Sequence, residues 1–217
     1  MAQRTLIVGD VHGCLDELNA LLRKAEWTPD DRLVLVGDLV AKGPDSQGVV
    51  QRARELGALG VLGNHDDHVL KRRDGKGLKK HHADVAAALT DPDWRYLERL
   101  PLWLELDDVS ALVVHGGLMP GVALREQERH LLLNLRSIDS RGRPSSRVSE
   151  GEPWVTTWKG PRTVLFGHDA LRGLQQYSSA YGLDTGCVYG KALTAVWLPE
   201  RLVVQVEARR EWWRPDD

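Results

Sequence analysis

The chain has 217 residues, 42% of them hydrophobic and 28% charged, with a formal net charge of -2. That length suffices for one domain with a sizeable core, and the near-balanced charge gives no global pull toward nucleic acid or an anionic membrane surface. No apolar run approaches the roughly 18 residues of a membrane span, and two cysteines, Cys14 and Cys187, make no disulfide framework.

The N-terminus leads almost directly into the apolar run Thr5 to Val8, with no h-region or cleavage site, so a cytoplasmic setting is expected. That run predicts a buried strand ending in Gly9-Asp10-Val11-His12-Gly13. Leu15, Leu18, Leu21 and Leu22 then recur at helical spacing. A second strand, Leu33 to Val36, ends in Gly37-Asp38. The loop Lys42-Gly43-Pro44-Asp45-Ser46 opens an amphipathic helix with Val49, Val50, Ala53 and Leu56 on one side and Gly57 as its stop. A third strand, Leu59 to Leu62, ends in Gly63-Asn64-His65-Asp66. Strands alternating with helices predict an α/β fold with a largely parallel sheet.

From Lys71 to His82 the chain turns basic around Gly75 and Gly77. Helices are expected over Ala83 to Leu89 and Trp94 to Leu100. Leu102, Leu104 and Leu106 alternate as a strand does, and Ala111 to Val114 is a further apolar strand ending in His115-Gly116-Gly117. Ser137 to Pro153, rich in Ser, Gly, Pro and Arg, reads as a mobile loop within a single domain over residues 1–217. Thr163 to Phe166 is a strand ending in Gly167-His168-Asp169. Leu193 to Leu198 and Leu202 to Val206 read as an antiparallel pair. A tail over residues 208–217 carries Trp212 and Trp213 and frays at Pro215-Asp216-Asp217.

Five strand ends thus deliver Asp10 and His12, Asp38, Asn64 and His65, His115, and His168. Each alone is an ordinary turn residue. Recurring together, beside glycine and after an apolar strand, they read as a shell for two divalent ions sharing a carboxylate. Asp38 is the expected bridge, with Asp10 and His12 on one ion and Asn64, His115 and His168 on the other. Oxygen and imidazole ligands without thiolate suit Mn, Fe, Zn or Mg; manganese is the first expectation, with Fe, Zn, Co and Mg as alternatives.

These blocks resemble the signatures of the calcineurin-like metallophosphatases. Within that superfamily the chain is most similar to the symmetrical diadenosine tetraphosphate hydrolases and the ApaH-like phosphatases. The subgroup resemblance rests on Gly37 to Ser46, Asn134 to Ile138, Phe166 to Ala170 and Gly182 to Gly190. It implies a sandwich of two mixed β-sheets flanked by helices, with a dinuclear metal site at the strand ends. It implies a metal-bridging hydroxide that attacks phosphorus in line, with His65 as the general acid for the departing oxygen. Arg136 matches an arginine that binds phosphate. Lys42 stands where many relatives have Arg, supplying charge without a bidentate fork. Protein phosphatases of the superfamily carry Asp at the position of Ala41, where it orients the catalytic histidine. Its absence favours the nucleotide branch and leaves open what holds His65; Asp66 and Asp169 are the candidates by sequence proximity.

The function implied is symmetrical hydrolysis of diadenosine tetraphosphate to two ADP, with the capped 5′ end of an RNA as a further substrate. A serine/threonine phosphoprotein phosphatase and a polyphosphatase are the alternatives. Neither DNA nor a membrane is an expected partner, and the oligomeric state is not set by the sequence. The run Lys71 to His82 reads either as a solvated face or as a polyphosphate-binding strip. Arg172 is a candidate to face substrate, Trp154 and Trp158 are candidates for base stacking, and both cysteines are expected to be packed.

Overall fold

The computed structural model describes residues 3–214; the expected fraying at Pro215-Asp216-Asp217 lies outside them. Two short apolar runs form β1 (Thr5–Val8) and β2 (Arg32–Leu35), which pair in parallel with Leu6 opposite Leu33. Between them α1 (Leu15–Lys24) buries Leu18, Leu21 and Leu22. Next comes α2 (Ser46–Glu55), capped by Asp45, whose carboxylate accepts the Gly48 amide at 2.7 Å. β3 (Leu59–Gly60) adds in parallel to β2. It stops short of the expected Leu62 because that residue donates its amide to Pro101 instead of to β2.

Three helices follow: α3 (Asn64–Leu70), α4 (Lys80–Ala88) and α5 (Asp91–Glu98). β4 (Trp103–Leu106) and β5 (Ala111–Val114) pair antiparallel, and α6 (Arg129–Asn134) comes after them. The stretch 137–153, expected as a plain loop, carries three two-residue strands: β6 (Ser137–Ile138), β7 (Pro144–Ser145) and β8 (Glu152–Pro153), in the order β7-β6-β8. Turn chemistry sets that pairing where no apolar pattern does. Asp139 accepts the amides of Arg141 and Arg143 at 2.8 and 2.9 Å. The chain closes with β9 (Thr163–Phe166), β10 (Gln175–Tyr177), β11 (Ala180–Gly182), β12 (Ala192–Leu198) and β13 (Leu202–Glu207).

The strands make two mixed five-stranded sheets, ordered β13-β12-β1-β2-β3 and β10-β11-β9-β5-β4. In each, three strands run parallel: β1, β2 and β3 in one, β5, β9 and β11 in the other. The sheets face each other through Ile7, Val34 and Val196 against Val113, Leu165 and Tyr181. Alternate residues along β1 and β2, such as Leu6, Val8, Leu33 and Leu35, pack instead with side chains of α1, α2 and α5. On the far side of the second sheet, Val114, Val164 and Phe166 pack with Leu132 of α6 and with Trp154. This is the sandwich of two mixed sheets with helices outside.

Cys14 and Cys187 are both buried in the core on the α1 side, and their sulfurs come together with a Glu17 oxygen, all within 4.8 Å of one another. The Cys187 thiol is pushed well up by its hydrogen bond with Cys14 and by burial. Among the described residues no helix is long and apolar enough to cross a membrane.

Candidate metal centre

The carboxyl ends of the parallel strands meet along one edge of the sandwich, the usual place for a site in open α/β sheets. β1 leads to Asp10 and His12, β2 to Asp38, β3 to Asn64, β5 to His115 and β9 to His168. β11 leads to a residue the sequence reading missed, Asp184. It lies two residues past the strand, between Leu183 and Thr185, so the rule of a ligand beside glycine passes over it. His12, Asp38 and His168 adopt φ of 48°, 50° and 66°. Left-handed backbone costs a non-glycine residue of order 1–3 kcal/mol and is tolerated where surroundings over-determine it. The loops are packed that tightly here. A Cβ on Gly63 would strike the Asp38 amide nitrogen, and one on Gly167 the Asp10 carboxylate.

Asp38 is the centre of the arrangement. Its Oδ2 lies 3.4 Å from His12 Nε2 and 3.5 Å from His115 Nε2, while Oδ1 accepts the His65 amide at 2.8 Å. Donor atoms of His12, Asp38 and His65 lie within 4.8 Å of one another, and so do those of Asp38, His115 and His168. Asn64 Oδ1 sits 3.0 Å from His115 Nε2 and 2.9 Å from His168 Nδ1. Asp10 joins neither trio. Its oxygens accept the His168 amide at 3.1 and 3.3 Å, and it is hydrogen-bonded to Asp184.

These residues fit divalent cations for a reason visible in their hydrogen bonds. His12 Nδ1 lies 3.0 Å from the Val40 carbonyl and His115 Nδ1 lies 2.9 Å from the Val36 carbonyl. A carbonyl only accepts, so a neutral ring at either place keeps its proton on Nδ1 and presents a bare lone pair on Nε2. Both lone pairs face the same Asp38 oxygen, itself an acceptor. The Lys42 ammonium stands 3.2 Å from His12 Nε2, while His115 Nε2 and Asp38 Oδ2 remain acceptors aimed at one another, an arrangement that a cation between them satisfies. The carboxylates repeat the demand: Asp10 is raised well above its ordinary range by burial, then by Asp184 and Asp38. His12 is pushed down to about 3 by burial and by Lys42, and burial likewise lowers His168. Burial lowers His115, but Asp38, the Val36 carbonyl and Asp66 together outweigh it and raise the ring; these surroundings attract positive charge.

The family model of calcineurin-like phosphoesterases matches residues 3–200. The chain belongs to that family. A symmetrical bis(5'-nucleosyl)-tetraphosphatase of Pectobacterium carotovorum is 31% identical over 93% of this chain and 94% of its own length. An asymmetrical bis(5'-nucleosyl)-tetraphosphatase of Oceanobacillus iheyensis is 28% identical over 94% of this chain and 92% of its own. A solved structure described as a candidate diadenosine tetraphosphatase superposes with a TM-score of 0.89 at 38% identity, covering 96% of this chain and 95% of that one. A serine/threonine phosphatase of Saccharomyces cerevisiae shares the fold, with a TM-score of 0.61 at 16% identity over 99% of this chain and 82% of its own.

The phosphoesterase carries further polar groups on the same edge. Lys42 Nζ lies 3.2 Å from His12 Nε2 and donates to the Tyr189 hydroxyl at 2.8 Å. Arg136 lines the centre, and three of its N–H groups are engaged: Nε and Nη2 with the His168 carbonyl, Nη1 with that of Ser146. Neither carboxylate proposed to hold His65 does so. Asp66 accepts the amides of Leu39, Val40 and Gly63 at 3.0, 3.2 and 3.0 Å, which pins the loop after β2 to the start of α3. Burial and then Asp38 raise Asp66 to about 7. Asp169 is held by Arg172 at 2.6 Å. The partner of His65 is His82, whose Nε2 lies 2.9 Å from His65 Nδ1. No spacing rule points to it: the basic run around it reads either as a solvated face or as a polyphosphate-binding strip, neither of which names a partner for His65.

The other expectations separate cleanly. Arg172 also donates to the Arg136 and Val148 carbonyls and to Ser137, so it braces loops instead of facing the centre. Trp154 is 2% exposed in the core, and Trp158 donates to the Arg162 carbonyl beside a different cleft. Trp213 lines the cleft beside His65, with its ring 4.5 Å from that of His81. The basic run does reach the site: Lys71, Arg72, Lys79, His81 and His82 line a cleft of about 730 Å³ together with Asn64, His65 and Lys42.

Proposed function

We propose that the chain hydrolyses dinucleoside polyphosphates, cutting diadenosine tetraphosphate symmetrically into two ADP with two divalent ions, manganese foremost. The observation that carries this reading is the cleft of about 730 Å³, lined by Asn64, His65 and Lys42 together with Lys71, Arg72, Lys79 and Trp213. A polyphosphate needs cations along its length, and a base needs a flat apolar face. The symmetrical relative at 31% identity supports the substrate and the bond cut.

In this reading Asp38, Asp10, His12, Asn64, His115 and His168 would hold the two ions, with Asp38 as the carboxylate they would share. The ions supply Lewis acidity toward phosphoryl oxygens and lower the pKa of water. The protein supplies the rest. Val40 and Val36 fix the rings of His12 and His115 so that Nε2 faces the site. Lys42 and the uncommitted N–H groups of Arg136 bind phosphate oxygens, and charge-assisted bonds of this kind are roughly twice as strong as neutral ones. His65 gives the proton on its Nε2 to the departing oxygen as the P–O bond breaks.

The test is hydrolysis of diadenosine tetraphosphate in heavy-oxygen water with manganese, followed by mass analysis. ADP is the expected sole nucleotide product, with solvent oxygen in the terminal phosphate of one ADP. AMP plus ATP would show asymmetrical cleavage, as the name of the Oceanobacillus relative describes for that protein, and would overturn the assigned geometry. Capped RNA, polyphosphate and a phosphopeptide complete the panel. Capped RNA offers the same anhydride bond and is expected to be cut. Rapid phosphopeptide turnover without dinucleotide cleavage would make the chain a phosphoprotein phosphatase.

A further inference from the structure

Among the residues lining the cleft beside His65, Trp213 is the one large apolar side chain; the others are charged or polar, with one glycine. Cations along a cleft suit phosphate oxygens but give no reason for an indole. Trp213 is half-buried. It packs against the core on the α1 side and also lines the cleft, so its ring either fills the fold alone or offers a face to a ligand. Its neighbours favour the second. Its ring lies 4.5 Å from that of His81 with planes 58° apart, His81 lies 4.1 Å from His82, and His82 lies 5.1 Å from His65. Trp213 thus ends a row of rings that begins at His65. Among the described residues no ring stacks face to face on the indole.

The tail that carries Trp213 is clasped to the body of the fold. Arg209 and Trp212 both donate to Glu17 Oε1 at 3.0 Å, the first through its amide and the second through its indole N–H. Glu17 belongs to α1 and is 2% exposed. Burying a carboxylate costs free energy unless donors meet it, and among the described residues both donors come from the tail. The Trp212 and Trp213 amides share the Val188 carbonyl, each at 3.0 Å. The Ala208 amide donates to the Lys191 carbonyl at 2.8 Å, and Glu211 bridges antiparallel to Tyr189. Tyr189 is also the residue whose hydroxyl accepts Lys42. One turn, 188–191, thus holds Lys42 through a side chain and the strap bearing Trp213 through its backbone. Trp212 is tied down by its own N–H, whereas Trp213 is left at the cleft wall.

We propose that Trp213 is the base-stacking face of the active site: the C-terminal strap 208–213 sets its indole where one base of the dinucleotide lies flat on it, while Lys42 and the other cations of the cleft hold the phosphates. The proposal rests on the dinucleotide reading of the substrate. It assigns recognition of the nucleoside to a residue that bare polyphosphate has no use for.

Two variants test it. Trp213→Leu keeps an apolar group against the core and removes the flat ring; Trp213→Phe keeps a ring. Both are compared with wild type on diadenosine tetraphosphate with manganese, and ADP and inorganic pyrophosphate are compared as competing ligands. Loss of one base–aromatic stack is expected to raise KM for the dinucleotide and Ki for ADP roughly 5–150-fold in Trp213→Leu, with kcat affected less than KM. Trp213→Phe is expected to retain most of the affinity. The Ki of pyrophosphate, which has no base, is expected to stay as in wild type in both. Tryptophan emission of the wild type is expected to change when ADP binds, and Trp213→Phe to lose that change. Given a wild type that cuts the dinucleotide, wild-type KM and Ki for ADP in Trp213→Leu would overturn the proposal alone. So would equal losses toward ADP and pyrophosphate, which mark an indole that only shapes the cleft, and so would an emission that ADP leaves unchanged. A wild type that leaves the dinucleotide uncut and binds ADP no more tightly than pyrophosphate would overturn the dinucleotide reading and the proposal with it.

Discussion

At Asp38 one carboxylate oxygen faces both His12 and His115, at 3.4 and 3.5 Å, and the residue belongs to both clusters of donor groups; Asp10 belongs to neither. Removing charge from Asp38 should therefore empty both halves of the centre, whereas Asp10→Asn should weaken only one. Metal analysis after dialysis is expected to find Asp38→Asn with the lower metal content and the larger loss of activity. An Asp38→Asn protein that retains two ions tightly would show that the carboxylate does not bridge. The donors that meet at this edge were legible in the sequence because each follows an apolar strand and lies beside glycine. Asp66 and His82 were not. Asp66 acts on amides 26 and 27 residues away, and His82 reaches His65 across 17 residues, from a run that reads equally as a solvated face or a polyphosphate-binding strip. Such roles arise from tertiary packing and leave no local period.

Among the elements, α5 shows how a carboxylate ties two helices together. Asp93, fully buried, accepts the Thr90 amide at 3.0 Å and the Thr90 hydroxyl at 2.6 Å, which closes the first turn of α5. It also takes Arg54 of α2 at 2.6 Å. Burial pushes its carboxyl up, but the Thr90 bonds and the Arg54 guanidinium outweigh burial and hold it below the usual range. A carboxyl depressed by folding stabilises the fold when ionised. That contribution is present above its unfolded value near 3.9 and is lost as pH falls through the folded one. Asp93→Asn should cost about 1 kcal/mol or more at pH 7, the typical worth of a helix cap. The gap from wild type should narrow as pH falls below about 4. Urea unfolding at the two pH values measures both; a gap that does not depend on pH would mean that the charge of Asp93 is idle. The helices with long apolar faces, α1 and α2, were readable from periodicity. The two shortest were not: α3 has seven residues and α6 six, under two turns each, too few for a period to show.

Across the whole molecule, the candidate ligands come from both sheets. Asp10, His12, Asp38 and Asn64 follow strands of the first sheet, and His115 and His168 follow strands of the second. Ions bound between them would link the two layers at one edge and stabilise the folded chain by mass action. At a hundredfold excess over Kd the gain is about 2.7 kcal/mol, or roughly 5–10 °C in Tm for a chain of this size. Chelator should lower the unfolding temperature by about that much, and Asp38→Asn should erase most of the difference. Identical melting with and without chelator would argue against metals spanning the sheets. The two-layer architecture could be anticipated only through family resemblance. Periodicity identified strands and the parallel run from β1 to β3, but the small sheet over residues 137–153 and the pairing of β10 with β11 depend on turns whose register is set by side-chain hydrogen bonds and contacts far along the chain.

The buried pair Cys14 and Cys187 offers a clock. Cys14 stands two residues beyond His12 and Cys187 three beyond Asp184, and they are 0% and 2% exposed. An alkylating reagent can reach either thiol only when the neighbouring turns part, so the labelling rate reports how often that edge of the fold breathes. Bound metal should hold the turns shut and slow labelling in step with occupancy. Mass spectrometry of alkylated protein across a metal titration would follow this directly. Labelling as fast with metal as without would mean that the thiols open by a motion unconnected with the site.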